Sequence, residues 1–196
     1  MTISKMEEIR LFVAIELPDD IREGLGRLIS KMKYKAPDAK WVDAGGIHLT
    51  LKFLGSVDSA RTSEITEAIT EAASGISPFS LEVAGLGVFP GLNRVRVVWV
   101  GLEGETGKLS LLQNRLDANL DILGFPPENR EFTPHLTLAR VRENATPPER
   151  QALGQLIAAA KIEPVGSFTA ESVSLMRSQL NPRGAIYTRL AGVELK

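Results

Sequence analysis

The chain has 196 residues, with 24 acidic and 23 basic side chains, a net charge of −1 at pH 7, no cysteine and two histidines. A charged fraction of 24% and a hydrophobic fraction of 43% are ordinary for a globular protein and exclude disordered, collagen-like and extended coiled-coil chains; at this length roughly 70% of the chain surface is buried on folding. Without cysteine there is no disulfide framework, thiol nucleophile, iron–sulfur cluster or zinc finger. The near-neutral charge speaks against a wholesale electrostatic grip on duplex nucleic acid and leaves room for a local basic patch. No apolar block of signal-peptide length lies between Met1 and Glu16, and no uninterrupted apolar run reaches the ~18 residues of a membrane span, so a soluble, cytoplasmic protein is expected.

In chain order, Arg10–Leu17 reads as an apolar strand stopped at Pro18, and Asp20 as the cap of a helix running to about Lys33. Lys40–Val42 reads as a short strand, Gly45-Gly46 as a turn, and Ile47–Leu54 as a strand ended by Gly55. Ile65, Ala68, Ile69 and Ala72 recur at helical spacing within Ser59–Ser74. Phe79–Val88 and Val95–Gly101 are strands joined through Pro90–Asn93, a hairpin-like link. Leu109, Leu112, Leu116 and Leu120 stripe a helix over Thr106–Leu123, with Gly124 just beyond its end. His135–Val141 is a strand, Pro147-Pro148 opens a helix over Glu149–Ala160, and Val165–Thr169, Ser172–Met176 and Ala185–Leu190 complete the strands.

The tetrapeptide His-Leu-Thr-Leu occurs twice, at 48–51 and at 135–138, each time inside an expected strand and headed by one of the two histidines. Each copy sits among about two helices and three or four strands, which predicts residues 1–196 as a single domain of two similar lobes. The expected architecture is α+β, with two antiparallel-rich sheets facing each other and helices on their outer sides.

In a strand, alternate residues share a face, so His48 and Thr50 lie on one side and Leu49 and Leu51 on the other; His135, Thr137, Leu136 and Leu138 repeat this. Two such faces meeting across one cleft would offer two imidazoles and two hydroxyls to an anionic substrate. Hydroxyl and imidazolium donate to phosphate oxygens, while a neutral imidazole takes a proton from water. One histidine as acid and one as base, each worth about 10² to 10⁴ in rate, is what phosphodiester hydrolysis without metal requires, and the threonines would steady developing charge. A catalytic zinc site needs about three protein ligands, and no Asp or Glu lies within two positions of either histidine. A Ser-His-Asp triad would leave one histidine unused, and the G-x-S-x-G elbow is missing. A single His-x-Thr pair on a strand is more simply a half-buried surface pair; both histidines heading the same tetrapeptide tilt the reading to function.

The segments RLFVAIELP (10–18), KWVDAGGIHLTLKFLG (40–55), RVVWVG (96–101) and FTPHLTLAR (132–140) resemble, in order and over essentially the whole chain, the two-histidine (2H) phosphoesterase superfamily, and within it the RNA 2′,3′-cyclic phosphodiesterases often labelled 2′-5′ RNA ligases. The resemblance implies a bilobal α+β 2H phosphoesterase fold with a pseudo-twofold central cleft, and metal- and cofactor-independent opening of an RNA terminal 2′,3′-cyclic phosphate to a 2′-phosphomonoester. It implies His48 as proton donor to the departing 3′-oxygen, His135 as proton acceptor from water, and Thr50 and Thr137 as phosphate contacts. The residues alone require one acid and one base without saying which is which.

Around the motifs, Arg140 is a further phosphate-binding candidate, although strict alternation turns it away from His135 unless a bulge re-aims it. Lys52 shares the parity of His48 and Thr50 and is expected at the cleft rim, with plain solvation as the competing reading. Phe12 and Tyr187 are candidates to stack on a base, Phe12 having core packing as its rival role. Arg94, Arg96, Arg130 and Arg142 read as mixed-charge surface in preference to an RNA track, and Trp41 and Trp99 as core or lobe-interface anchors. The expected partners are RNA ends or nucleotides bearing a 2′,3′-cyclic phosphate, with no membrane, no obligate protein partner and a monomeric state. The alternative function is a non-enzymatic RNA- or nucleotide-binding module using the same cleft.

Overall fold

The helical and strand-like apolar patterns become α-helices and β-strands in the computed structural model, which describes residues 7–36, 39–182 and 184–196. Residues 1–6, part of the segment read above for a signal peptide, lie outside the described residues. The order is β1 (Glu8–Glu16), α1 (Asp19–Lys35), β2 (Lys40–Trp41), β3 (His48–Asp58), α2 (Thr62–Ala73), β4 (Phe79–Phe89), β5 (Val97–Gly104), α3 (Thr106–Ile122), β6 (His135–Arg140), α4 (Pro147–Ala159), β7 (Gly166–Ala170), β8 (Ser172–Asn181) and β9 (Gly184–Glu194). No helix among the described residues is long and apolar enough to cross a membrane.

α1 buries Ile21, Leu25, Leu28, Ile29 and Met32 along one stripe. Its N-cap residue is Pro18, not Asp20: Asp19 and Asp20 sit in the first turn, where carboxylates complement the positive end of the helix dipole. α3 buries Leu109, Leu112, Leu116 and Leu120, and Gly124 follows it at φ +87°, a left-handed stop that glycine takes without strain. α4 starts with Pro147 and Pro148 behind a Thr146–Glu149 capping box.

The strands form two sheets, ordered β3-β1-β8-β9 and β2-β6-β5-β4-β7, and every pairing in them is antiparallel. The sheets are not the two halves of the chain. β1 pairs on one side with β3 and on the other with β8 from the C-terminal end, and β2 lies beside β6 in the other sheet. α2 and α3 pack on the first sheet, and α1 and α4 on the second. Leu49, Leu51, Leu136 and Leu138, the apolar halves of the two tetrapeptides, are 0 to 4% exposed and belong to the same main core.

Gly55 does not end β3. It sits at φ +75° beside a bulge at Leu54, and the strand continues to Asp58, paired with Glu8. A glycine at positive φ absorbs the local kink and lets the ladder resume.

Candidate active site

Both histidines are the first residues of their strands, and both are anchored in the same way. Nδ1 of His48 lies 2.9 Å from the carbonyl oxygen of Gly46, and Nδ1 of His135 lies 2.7 Å from that of Thr133. A carbonyl can only accept, so in each ring Nδ1 carries the hydrogen and Nε2 is left for chemistry. The approach to His48 is a 3₁₀ turn, Ala44–Gly46, in which the Asp43 carboxylate accepts the Gly45 N–H at 3.2 Å.

A bulge follows each motif at its fourth residue. Ala14 faces Thr50 and Val13 faces Lys52, leaving Leu51 without a cross-strand partner. Trp99 faces Thr137 and Val98 faces Ala139, leaving Leu138 without one. Each extra residue shifts the alternation by one position. Past Leu51, Lys52 turns into the protein and Phe53 faces Phe12, which already shares the His48 face. Past Leu138, Ala139 turns into the core and Arg140 faces Val97, placing it on the side of Thr137 and His135.

Lys52 is therefore not at a cleft rim, which corrects the parity-based expectation. It is 4% exposed, and its Nζ donates to Asp117 of α3 at 2.5 Å and to the Pro126 carbonyl at 3.0 Å. Arg140 is exposed, and β2 places Lys40 directly opposite it. None of the ion pairs formed among the described residues involves either side chain, so two cations share this face. Like charges directly opposed across strands are unfavourable without an anion between them.

Each imidazole rests against two aromatic rings. His48 lies 4.7 Å from Phe12 and 4.8 Å from Tyr187, the latter edge-on. His135 lies 4.9 Å from Phe89, edge-on, and 6.2 Å from Trp99. Phe12 is only 3% exposed and forms with Ala14 and Met176 a small apolar cluster separate from the main core. It braces the underside of His48 and leaves no open face for a base, which corrects its expected stacking role.

Burial pushes both imidazoles below the ordinary histidine value, more strongly than their carbonyl acceptors raise them. The nearby charges differ. His48 feels Glu16, its cross-strand partner, which favours imidazolium, against Arg22. His135 feels Arg130 and Arg140, which favour the neutral ring, ahead of Glu128. Glu16 is held by the Ser174 hydroxyl at 2.7 Å and by Arg189 at 3.3 Å. Among strands of different sheets, β3 and β6, which carry the two motifs, make the most extensive contact.

The 2′-5′ RNA ligase superfamily model matches residues 12–182. The chain belongs to that superfamily. It is 37% identical over 182 residues to an RNA 2′,3′-cyclic phosphodiesterase of Methanothermobacter thermautotrophicus, covering 92% of this chain and 96% of the relative, and 31% identical over 186 residues to one of Aquifex aeolicus, covering 93% and 95%. Among solved structures, TT0787 of Thermus thermophilus superposes with a TM-score of 0.76 at 30% identity, covering 95% of this chain and 98% of that one. E. coli LigT in apo form gives 0.75 at 28% identity, covering 97% and 99%.

In this superfamily member Arg130 and Arg142 stand at different places. Arg130 pairs with Glu128 at 2.6 Å near His135, whereas Arg142 lines a separate pocket of about 310 Å³ with Lys35, Val141, Ala145 and Leu153. Trp41 donates from Nε1 to the Ala36 carbonyl at 2.8 Å and packs on the core, as expected of an anchor. Trp99 instead lies on the face of His135 and Thr137. Glu16, Arg22, Lys40, Phe53 and Phe89 escaped the sequence reading. Glu16 and Phe89 end long apolar runs where parity carries no label of function, and Phe53 is displaced onto the site face only by the bulge. Among the described residues no group of three or more His, Asp or Glu side chains is arranged to hold a metal ion.

Proposed function

We propose that this protein hydrolyses the terminal 2′,3′-cyclic phosphodiester of RNA to a 2′-phosphomonoester, with His48 and His135 as acid and base on one cleft between two lobes and no metal in the reaction. The observation that carries this reading is the duplicated site: two His-x-Thr pairs, each with Nδ1 tied to the carbonyl two residues upstream and each followed by a bulge. The naming of relatives across 92 to 93% of this chain as RNA 2′,3′-cyclic phosphodiesterases supports it.

In the reaction, neutral His135 accepts a proton from water at Nε2 as the water oxygen attacks phosphorus. The bond from phosphorus to the ribose 3′-oxygen breaks, and His48 imidazolium delivers its Nε2 proton to that oxygen. The products are a 2′-phosphomonoester and a free 3′-hydroxyl. Charges around the rings favour this division of roles, since Glu16 stabilises imidazolium at His48 while Arg130 and Arg140 keep His135 neutral. Thr50, Thr137 and Arg140 donate to the non-bridging oxygens, Arg140 as a planar fork.

The test is end-group analysis of RNA bearing a 2′,3′-cyclic phosphate, with and without chelator. A 2′-phosphate formed at the same rate in both is expected. A 3′-phosphate would reverse the leaving group, loss of activity with chelator would overturn metal independence, and binding without turnover would leave a nucleotide-binding module.

A further inference from the structure

We propose that Lys40 binds the phosphodiester joining the cyclic-phosphate nucleotide to the preceding residue of the RNA, and so makes the enzyme prefer a chain end to a free nucleotide; this rests on the function proposed above. Lys40 and Arg140 are direct partners across the β2–β6 ladder, so their side chains share one face, that of Thr137 and His135. Both are exposed. Among the described residues neither is ion-paired, whereas Arg22, Arg130 and Arg189, the other cations around the two imidazoles, pair with Asp19, Glu128 and Glu16. Two facing cations with no carboxylate between them make a place for an anion supplied from outside.

One phosphate does not serve both. Arg140 is near enough to His135 to favour its neutral form, and it faces the reacting phosphate. Lys40 stands one strand further out, about 5 Å away, on β2 at the edge of its sheet. Along β6, Thr137 faces Trp99 and Arg140 faces Val97, two residue rises apart, or about 7 Å. An anion at Lys40 is thus set off from the reacting phosphorus both along and across the strands, a gap that one ribose and the four-carbon lysine stem close. In RNA, the anionic group one ribose away from a terminal 2′,3′-cyclic phosphate is the 5′-phosphodiester. No strand flanks β2 on its outer side, so the preceding nucleotide leaves the site over an open edge. An ammonium reads charge and carries no base readout, which gives a preference for chain over nucleotide and none for sequence.

The experiment compares kcat/KM for adenosine 2′,3′-cyclic phosphate, the same nucleotide with a 5′-phosphate, and the adenylyl-adenosine dinucleotide ending in a 2′,3′-cyclic phosphate. Wild type is expected to prefer both substrates that carry the 5′ phosphate. K40Q should lower that preference by about 3- to 10-fold and make the dinucleotide rate less salt-dependent, by about 0.7 in the slope of log kcat/KM against log salt; K40R should restore both. A wild-type preference in K40Q, equal loss on all three substrates, or no preference in wild type overturns the proposal, and so does a loss confined to the dinucleotide, which would assign Lys40 to the added nucleoside. If nothing turns over, the hydrolase reading falls, and calorimetry decides on Lys40. Weaker binding of adenosine 2′,5′-bisphosphate with unaltered binding of adenosine 2′-monophosphate in K40Q upholds the phosphate contact, and any other pattern overturns it.

Discussion

Leu51 and Leu138 hold the same position in two strands far apart in the chain. Each closes its His-Leu-Thr-Leu, each lacks a cross-strand partner, and each is buried, at 4% and 0% exposure. The consequence is the same slip of register in both strands. In one it sends a lysine inward and a phenylalanine outward, and in the other an alanine inward and an arginine outward.

Arg140 and Lys52 should therefore fail in different ways. R140M removes a charge-assisted contact and is expected to lower kcat/KM by about 10- to 100-fold with unfolding unchanged. K52M leaves Asp117 with only the Gln113 amide, at 2.7 Å. Breaking a buried pair costs about 3 to 5 kcal/mol, and because Asp117 keeps 20% of its side chain exposed the lower figure is expected. Urea denaturation measures this, and K52M/D117L should recover part of the loss. A wild-type rate in R140M would remove Arg140 from the site.

His48→Ala and His135→Ala should each reduce turnover by about 10² to 10⁴ while the far-ultraviolet dichroism and melting midpoint stay near wild type. Full activity in either variant would end the two-histidine mechanism.

The pH dependence of kcat/KM follows from the directions of the two shifts. A base must be neutral and an acid protonated, so the rate falls on the acid side as His135 gains its proton and on the alkaline side as His48 loses its own. Burial lowers both from the ordinary 6.5, which places the optimum below that pH. E16Q removes the carboxylate that favours His48 imidazolium and should move only the alkaline limb, to lower pH. Movement of the acid limb instead would exchange the roles of the two histidines.

Gly87 and Gly154 separate support of the site from support of the fold. A Cβ on Gly87 would fall 2.1 Å from the Trp99 ring, which lies against His135, and one on Gly154 would fall 2.0 Å from the Leu92 carbonyl oxygen. Overpacking costs about 1 to 3 kcal/mol, so both alanine variants should unfold at lower urea. Only G87A should also lose kcat at temperatures where it remains folded, because Trp99 must move against His135.

The one-dimensional chain determined its strands, its helices and the pairing of histidine with threonine, because alternation and 3.6-residue spacing are local and leave their mark on neighbouring residues. The stripe of α3 and the parity of His48 with Thr50 were legible for that reason. Parity failed past the fourth residue of each tetrapeptide, since a bulge is set by the partner strand: nothing between Leu51 and Phe53 marks where Val13 and Ala14 will pair. Tertiary structure alone decided that Lys52 is buried on Asp117, that Arg140 and Phe53 reach the site face, and that Glu16 stands beside one histidine while two arginines stand near the other. Those are long-range juxtapositions, made by strands that meet only when both sheets have formed, and the electrostatics that distinguish the two imidazoles come from them.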